Sequence, residues 1–95
     1  MIIYVDIDNT ICETIGSDYI NSKPIQENID KINRLYDDGH IIIYWTARGG
    51  NSGKDWKNLT LRQLNTWNCL FHELKMNKPT YDLFICDKTK RIEEI

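Results

Sequence analysis

The chain has 95 residues, 41% hydrophobic and 27% charged, with a formal net charge of −2. That length predicts a single domain over 1–95, and a domain so small buries only about 60–65% of the surface its unfolded chain exposes. The slight acidic balance excludes bulk electrostatic attraction to nucleic acid or to an acidic membrane, while leaving room for a local basic groove. Cys12, Cys69 and Cys86 are odd in number and form no CxxC pair, so neither a disulfide framework nor a zinc site is expected. The N-terminus runs straight into a strand-like segment with no basic leader, and no apolar run approaches the ~18 residues that span a bilayer. The expected location is cytoplasmic, in a reducing compartment and away from membranes.

In chain order, Ile2, Ile3, Tyr4, Val5 and Ile7 form a β-branched apolar run that predicts a strand buried on both faces. Residues 9–23 are polar and read as a loop. Pro24 suits a first helical turn, Ile25, Ile29, Ile32 and Tyr36 follow at helical spacing, and Gly39 is placed to end the helix. His40–Trp45 predicts a second buried strand, and ARGGNSGKD a glycine-rich loop. Trp56, Leu59, Leu64 and Trp67 make a second helical stripe. Leu70–Leu74 is a weaker strand signal, Lys78-Pro79 breaks the chain, Leu83–Cys86 reads as a further buried strand, and Ile92 with Ile95 suggests a terminal helical turn.

Alternating helices and apolar strands predict an α/β fold with a short parallel sheet. Ligands gather at the carboxyl ends of the strands in such sheets. Asp6, Asp8, Thr46, Arg48 and Asp87 all fall at those ends. Asp6 and Asp8, one residue apart on extended chain, point the same way and repel each other unless a cation binds or one keeps a proton. With Asp87 as a third acid, a hard cation with oxygen ligands is expected, Mg²⁺ above all. A carboxylate there can serve as a nucleophile through an aspartyl-phosphate, the second acid can move a proton, and a lysine can neutralise developing charge.

DIDNT, residues 6–10, resembles the DxDx[TV] signature of the haloacid dehalogenase superfamily of phosphohydrolases. IIIYWT, ending at Thr46, is similar to its second motif, and Lys78-Pro79 followed by YDLFICDK to its third and fourth. WTARG and KPTYDLFICDK also resemble a compact, capless group of small phosphatase-like proteins. The resemblance implies a three-layer Rossmann-like core without a cap domain. It implies Asp6 as nucleophile and Mg²⁺ ligand, Asp8 as general acid/base and metal ligand, and Asp87 as the remaining metal ligand. Thr46 and Lys78 would hold the transferred phosphoryl group, with Arg48, Asn9 and Thr10 beside the substrate. The fourth motif departs from the Asp-Asp common in similar proteins, reading Cys86-Asp87; Asp82 is a substitute acid, but at the wrong end of the expected strand.

Lys75 competes with Lys78 as the site lysine. Trp45, Trp56 and Trp67 read as core or interface, and Cys86 as a small buried hydrophobe. GGNSGKD is not a phosphate-binding P-loop, because position 48 is Arg and position 55 is Asp where that motif needs Gly and Ser or Thr. The expected activity is Mg²⁺-dependent hydrolysis of a small or sugar-linked phosphomonoester. The alternatives are a polynucleotide-end phosphatase, a catalytically weak metal- or phosphate-binding module, and a phosphoacceptor domain. Self-association would let so small a chain bury more apolar surface.

Overall fold

The computed structural model describes residues 1–50 and 53–95; Asn51 and Ser52, within the expected glycine-rich loop, lie outside the described residues. Its elements are β1 (Ile2–Val5), β2 (Cys12–Glu13), β3 (Lys23–Pro24), α1 (Gln26–Asp37), β4 (Ile41–Trp45), α2 (Lys57–Thr66) and β5 (Glu73–Lys75), with a 3₁₀ turn at Ile92–Glu94. β1, β4 and β5 form one parallel sheet in the order β1-β4-β5, with Val5 opposite Tyr44 and Tyr44 opposite Leu74. Residues 9–23 are not a plain loop, since β2 and β3 pair antiparallel there around a 3₁₀ turn at Tyr19–Asn21. Pro24 belongs to β3 rather than to the first helical turn. The Ile25 N–H bonds to the Ile11 carbonyl at 2.9 Å, which keeps the chain extended until α1 begins.

Both helices end in the same way. Gly39, at φ +97°, donates to Tyr36 and His40 donates to Leu35, closing α1 in a Schellman motif. Asn68, at φ 58°, donates to Asn65 and Cys69 donates to Leu64, closing α2. Asparagine tolerates the left-handed conformation that most residues avoid.

The sheet order determines the layers. The steps β1–α1–β4 and β4–α2–β5 move in one direction, and right-handed crossovers then put both helices on one face. Ile29 and Ile32 of α1 and Leu64 of α2 accordingly join Val5, Ile42 and Tyr44 in a single buried cluster. The domain is therefore two layers rather than the expected three. β1 is not buried on both faces: on the side away from the helices Ile2 is 66% and Tyr4 47% exposed, while Ile43 of the central strand, beside Tyr4, is 7% exposed. The expected strand at Leu83–Cys86 does not form; Leu83 is 75% and Ile85 88% exposed, and among the described residues the sheet has three strands.

Each large aliphatic side chain in the cluster contributes about 1.5–3 kcal/mol on burial. Leu64→Ala, at a fully buried site, should cost about 2–5 kcal/mol in urea unfolding, against no more than about 0.5 kcal/mol for Ile15→Ala at an 82% exposed one. Burial also pushes the Cys69 thiol up to about 11 from its ordinary 9.0. The folded state thus holds that proton more tightly than the unfolded chain does. Stability from this group is present below pH 9 and should fall by about 1.4 kcal/mol per pH unit between roughly 9 and 11. Cys69→Ala should flatten that slope in alkaline unfolding curves.

Candidate functional site

Beyond the last residue of β1 the chain makes a tight turn. Ile7 accepts from the N–H groups of Thr10 and Ile11, and Asn9 takes φ 62°. The turn brings the Thr10 hydroxyl to 3.3 Å from Asp6 Oδ2, while the Asn9 side-chain oxygen accepts the Thr14 N–H at 3.2 Å. Asn9 thus stabilises the turn, and Thr10 steadies Asp6. β4 lies in register beside β1, so Thr46, just past its end, arrives at the same edge. Thr46 is 1% exposed; its N–H bonds to Lys75 and its carbonyl accepts from the Lys78 N–H, both at 3.0 Å. That backbone bond draws the 76–78 segment across the strand ends. Lys78 Nζ then stands 3.4 Å from Asp6 Oδ1. Lys75 points elsewhere, its ammonium 2.9 Å from the Tyr4 hydroxyl, so the geometry selects Lys78 as the lysine beside the carboxylate.

Asp8 occupies a different environment. Arg48 Nε donates to its Oδ2 at 3.0 Å and Nη2 to its Oδ1 at 2.8 Å, a bidentate pair. The Arg48 side chain is fully buried, and Nη1 reaches Thr60 Oγ1 at 3.1 Å and Gln63 Oε1 at 2.6 Å. Its guanidinium carbon lies 4.8 Å from the Tyr19 ring centroid. Thr14 Oγ1 donates to Asp8 Oδ1 at 2.6 Å, which leaves Ser22 as the donor in its 2.6 Å contact with Thr14. Gly49 follows at φ +82°, where a Cβ would collide with the Lys54 carbonyl oxygen, so the chain leaves Arg48 by a route only glycine permits.

These contacts relocate one expected residue. Arg48 is not a solvent-facing substrate ligand; four of its five side-chain N–H donors go to Asp8, Thr60 and Gln63. Thr14, Tyr19, Thr60 and Gln63 were not singled out from the sequence. Thr60 and Gln63 carried a signal, since these polar residues flank Leu64 on the buried side of an otherwise apolar helical stripe.

Asp87 is not brought to Asp6 and Asp8. It follows the exposed 83–86 segment, where its Oδ1 accepts from the neighbouring Cys86 thiol at 3.7 Å. The fit to a divalent cation is correspondingly incomplete. Among the described residues no group of three or more His, Cys, Asp or Glu side chains is placed to hold a metal ion. Asp6, 41% exposed, is available, but both Asp8 oxygens already accept from Arg48 and Thr14. The residues of one chain therefore do not fit Mg²⁺ as expected.

Beside this edge lie two open cavities. One, of about 480 Å³, is lined by Arg48, Gly49, Lys54, Trp56 and Asn77; the other, of about 370 Å³, by Gly50, Asn77, Lys78, Pro79 and Thr80. Asn77 borders both, so the space beside Lys78 continues toward the 53–57 loop.

No protein-family model matches the chain, and no curated protein matches it. Among solved structures the chain is similar to the crystal structure of a structural-genomics target from Vibrio cholerae, with a TM-score of 0.87 at 23% identity, covering 98% of this chain and 85% of that one. The likeness is one of fold, and it extends through the exposed C-terminal segment. Among the described residues no helix is long and apolar enough to cross a membrane.

The Arg48–Asp8 pair generates a test. Arg48→Met should lower the unfolding free energy by about 3 kcal/mol, because it leaves a partly buried carboxylate without its cation. Adding Asp8→Asn should recover more than about 1 kcal/mol of that loss. Strictly additive losses in the double-mutant cycle would refute the coupling.

Proposed function

We propose that this chain is a phosphomonoester hydrolase that transfers a phosphoryl group to Asp6, acting on a small or sugar-linked phosphate. One observation carries the reading: a solvent-accessible carboxylate stands at the carboxyl end of a parallel sheet with a lysine ammonium 3.4 Å away. An Asp6 oxygen would attack phosphorus as the ester P–O bond breaks, and the leaving oxygen would take up a proton. Water would then attack the same phosphorus, the Asp6–P bond would break, and inorganic phosphate would leave. Lys78 would balance the negative charge that gathers on the phosphoryl oxygens. Thr10 would hold the Asp6 carboxyl plane in both halves of the cycle.

Asp8 would be the proton carrier. Its Oδ2 accepts from Arg48 Nε, whereas Oδ1 accepts from Arg48, Thr14 and the Cys12 thiol. Oδ2 is thus the oxygen with spare capacity to accept a proton. Arg48 would be a positioning residue, acting through Asp8. The open cavities beside Lys78 favour a site that admits substrates broadly.

A second reading, a binding module with little turnover, is favoured by the incomplete acidic cluster within one chain. Phosphate release from an aryl phosphate and a panel of sugar phosphates, with Mg²⁺ and with chelator, separates the two. Under the hydrolase reading, Asp6→Asn falls to background and Lys78→Ala loses about 10²–10³-fold in kcat. If wild type releases no phosphate from any ester, the binding-module reading replaces it.

A further inference from the structure

The segment Leu83–Cys86 presents three large apolar side chains to solvent in a row, at 75%, 52% and 88% exposure for Leu83, Phe84 and Ile85. Aromatic and branched residues of this kind belong in strands, and a continuous exposed run is a docking element or a liability. At the opposite end of the sequence, β1 pairs with β4 alone. Its outer edge carries no lysine, proline or bulge, the usual protections of an open edge. Beside that edge the uncovered sheet face shows Ile2, Tyr4 and Ile41. One chain therefore holds an unpaired strand edge and an unpaired strand-forming segment, and leaves both open.

The connection explains why they do not meet as parallel strands within one chain. β5 ends at Lys75, on the far edge of the sheet from β1. Only residues 76–82 separate it from Leu83, whereas a parallel crossover needs about a dozen residues or more. Part of this link is already fixed at the carboxyl end, where Lys78 bonds to Thr46 and pairs with Asp6. Four residues remain to descend the length of β1 and turn back upward. An antiparallel return would be within reach, but it would carry Asp87 to the amino end of the sheet, away from Asp6.

We propose that two copies of this chain exchange their 83–86 segments, each adding a fourth parallel strand to the free edge of the other's β1 and delivering its Asp87 to the other's Asp6. The exchange is reciprocal and closes as a two-fold dimer. Two added strands, with the β1 side chains they cover, bury on the order of 1,500 Å², the size of a standard stable interface. The acid missing from a single chain is then supplied by the second. The role given to Asp87, and with it the parallel direction of the added strand, rests on the hydrolase reading; the pairing of the two copies through their 83–86 segments does not.

Light scattering during size exclusion tests the pairing. Wild type should run at about twice the 11.3 kDa chain mass, and Ile85→Asp or Ile2→Asp alone should give a folded monomer by circular dichroism. Both side chains are exposed on the single chain, so neither substitution disturbs its core. A monomeric wild type, or a dimer indifferent to Ile85→Asp, overturns the proposal. Mixing tests the delivery of Asp87. Asp6→Asn and Asp87→Asn chains, each inactive alone, should recover about a quarter of wild-type phosphate release once unfolded and refolded together, since half the dimers are mixed and each holds one intact site of two. No recovery, or full activity of Asp87→Asn alone, overturns it. A dimer lost in Ile85→Asp but without activity in the wild type upholds the exchange and sinks the hydrolase reading. An active monomer does the reverse.

Discussion

The bidentate contact between Arg48 and Asp8 ties together more of this molecule than any other polar interaction. Asp8 follows β1, Arg48 follows β4, Thr60 and Gln63 come from α2, and Tyr19 comes from the excursion between β2 and β3. Three other stretches of chain converge on the guanidinium that the end of β4 supplies. A fully buried cation has no water to fall back on, so each of those stretches must keep its place for the charge to remain satisfied. Gln63 extends the network by donating to the Tyr19 carbonyl at 2.6 Å. Such a pair adds less to net stability than its geometry suggests, because both groups were well solvated before folding. What it supplies is a fixed orientation of Asp8 relative to Asp6.

This arrangement divides the two aspartates that open the chain. They are one residue apart and chemically identical, yet Asp6 faces solvent beside an ammonium while Asp8 is held by a guanidinium and a hydroxyl. Repulsion between them is answered twice over, by a separate cation for each. That is a protein-based solution to a problem for which a bound metal seemed the natural answer, and it operates in the single chain before any ion arrives.

Much of the sheet was legible in the sequence because apolar runs of four to six residues between helical stripes leave few alternatives. The two helices, β4 and the terminal turn follow from such patterns, and Asp6, Thr46 and Lys78 lie at one edge because strand ends in a parallel sheet share an edge. The layers were not legible. Apolar strands suggested cover on both faces, but the cover depends on strand order, and order depends on crossover direction rather than on composition. LFIC has the propensity of a strand, and propensity does not say which edge, or which molecule, it will pair with. Arg48 was misplaced because its partners Thr60 and Gln63 are polar residues within an apolar helical stripe, and such positions do not say which charged group from elsewhere in the chain they will meet. The 9–23 excursion hid its short strands because two-residue ladders leave no periodicity to detect.

The three tryptophans sit in three separate surroundings. Trp67 is buried with the core cluster, Trp56 lies edge-on to Tyr19 with the Lys54 ammonium 4.6 Å from its ring centroid, and Trp45 stands edge-on to Tyr4 on the uncovered sheet face with Lys78 Nζ 5.9 Å away. The indole emission of this protein is therefore a composite of three local reporters: one of the packed interior, one of the loop beside the larger cavity, and one of the lysine next to Asp6. Replacing two of them at a time would let a single chromophore record events at the third without any added label.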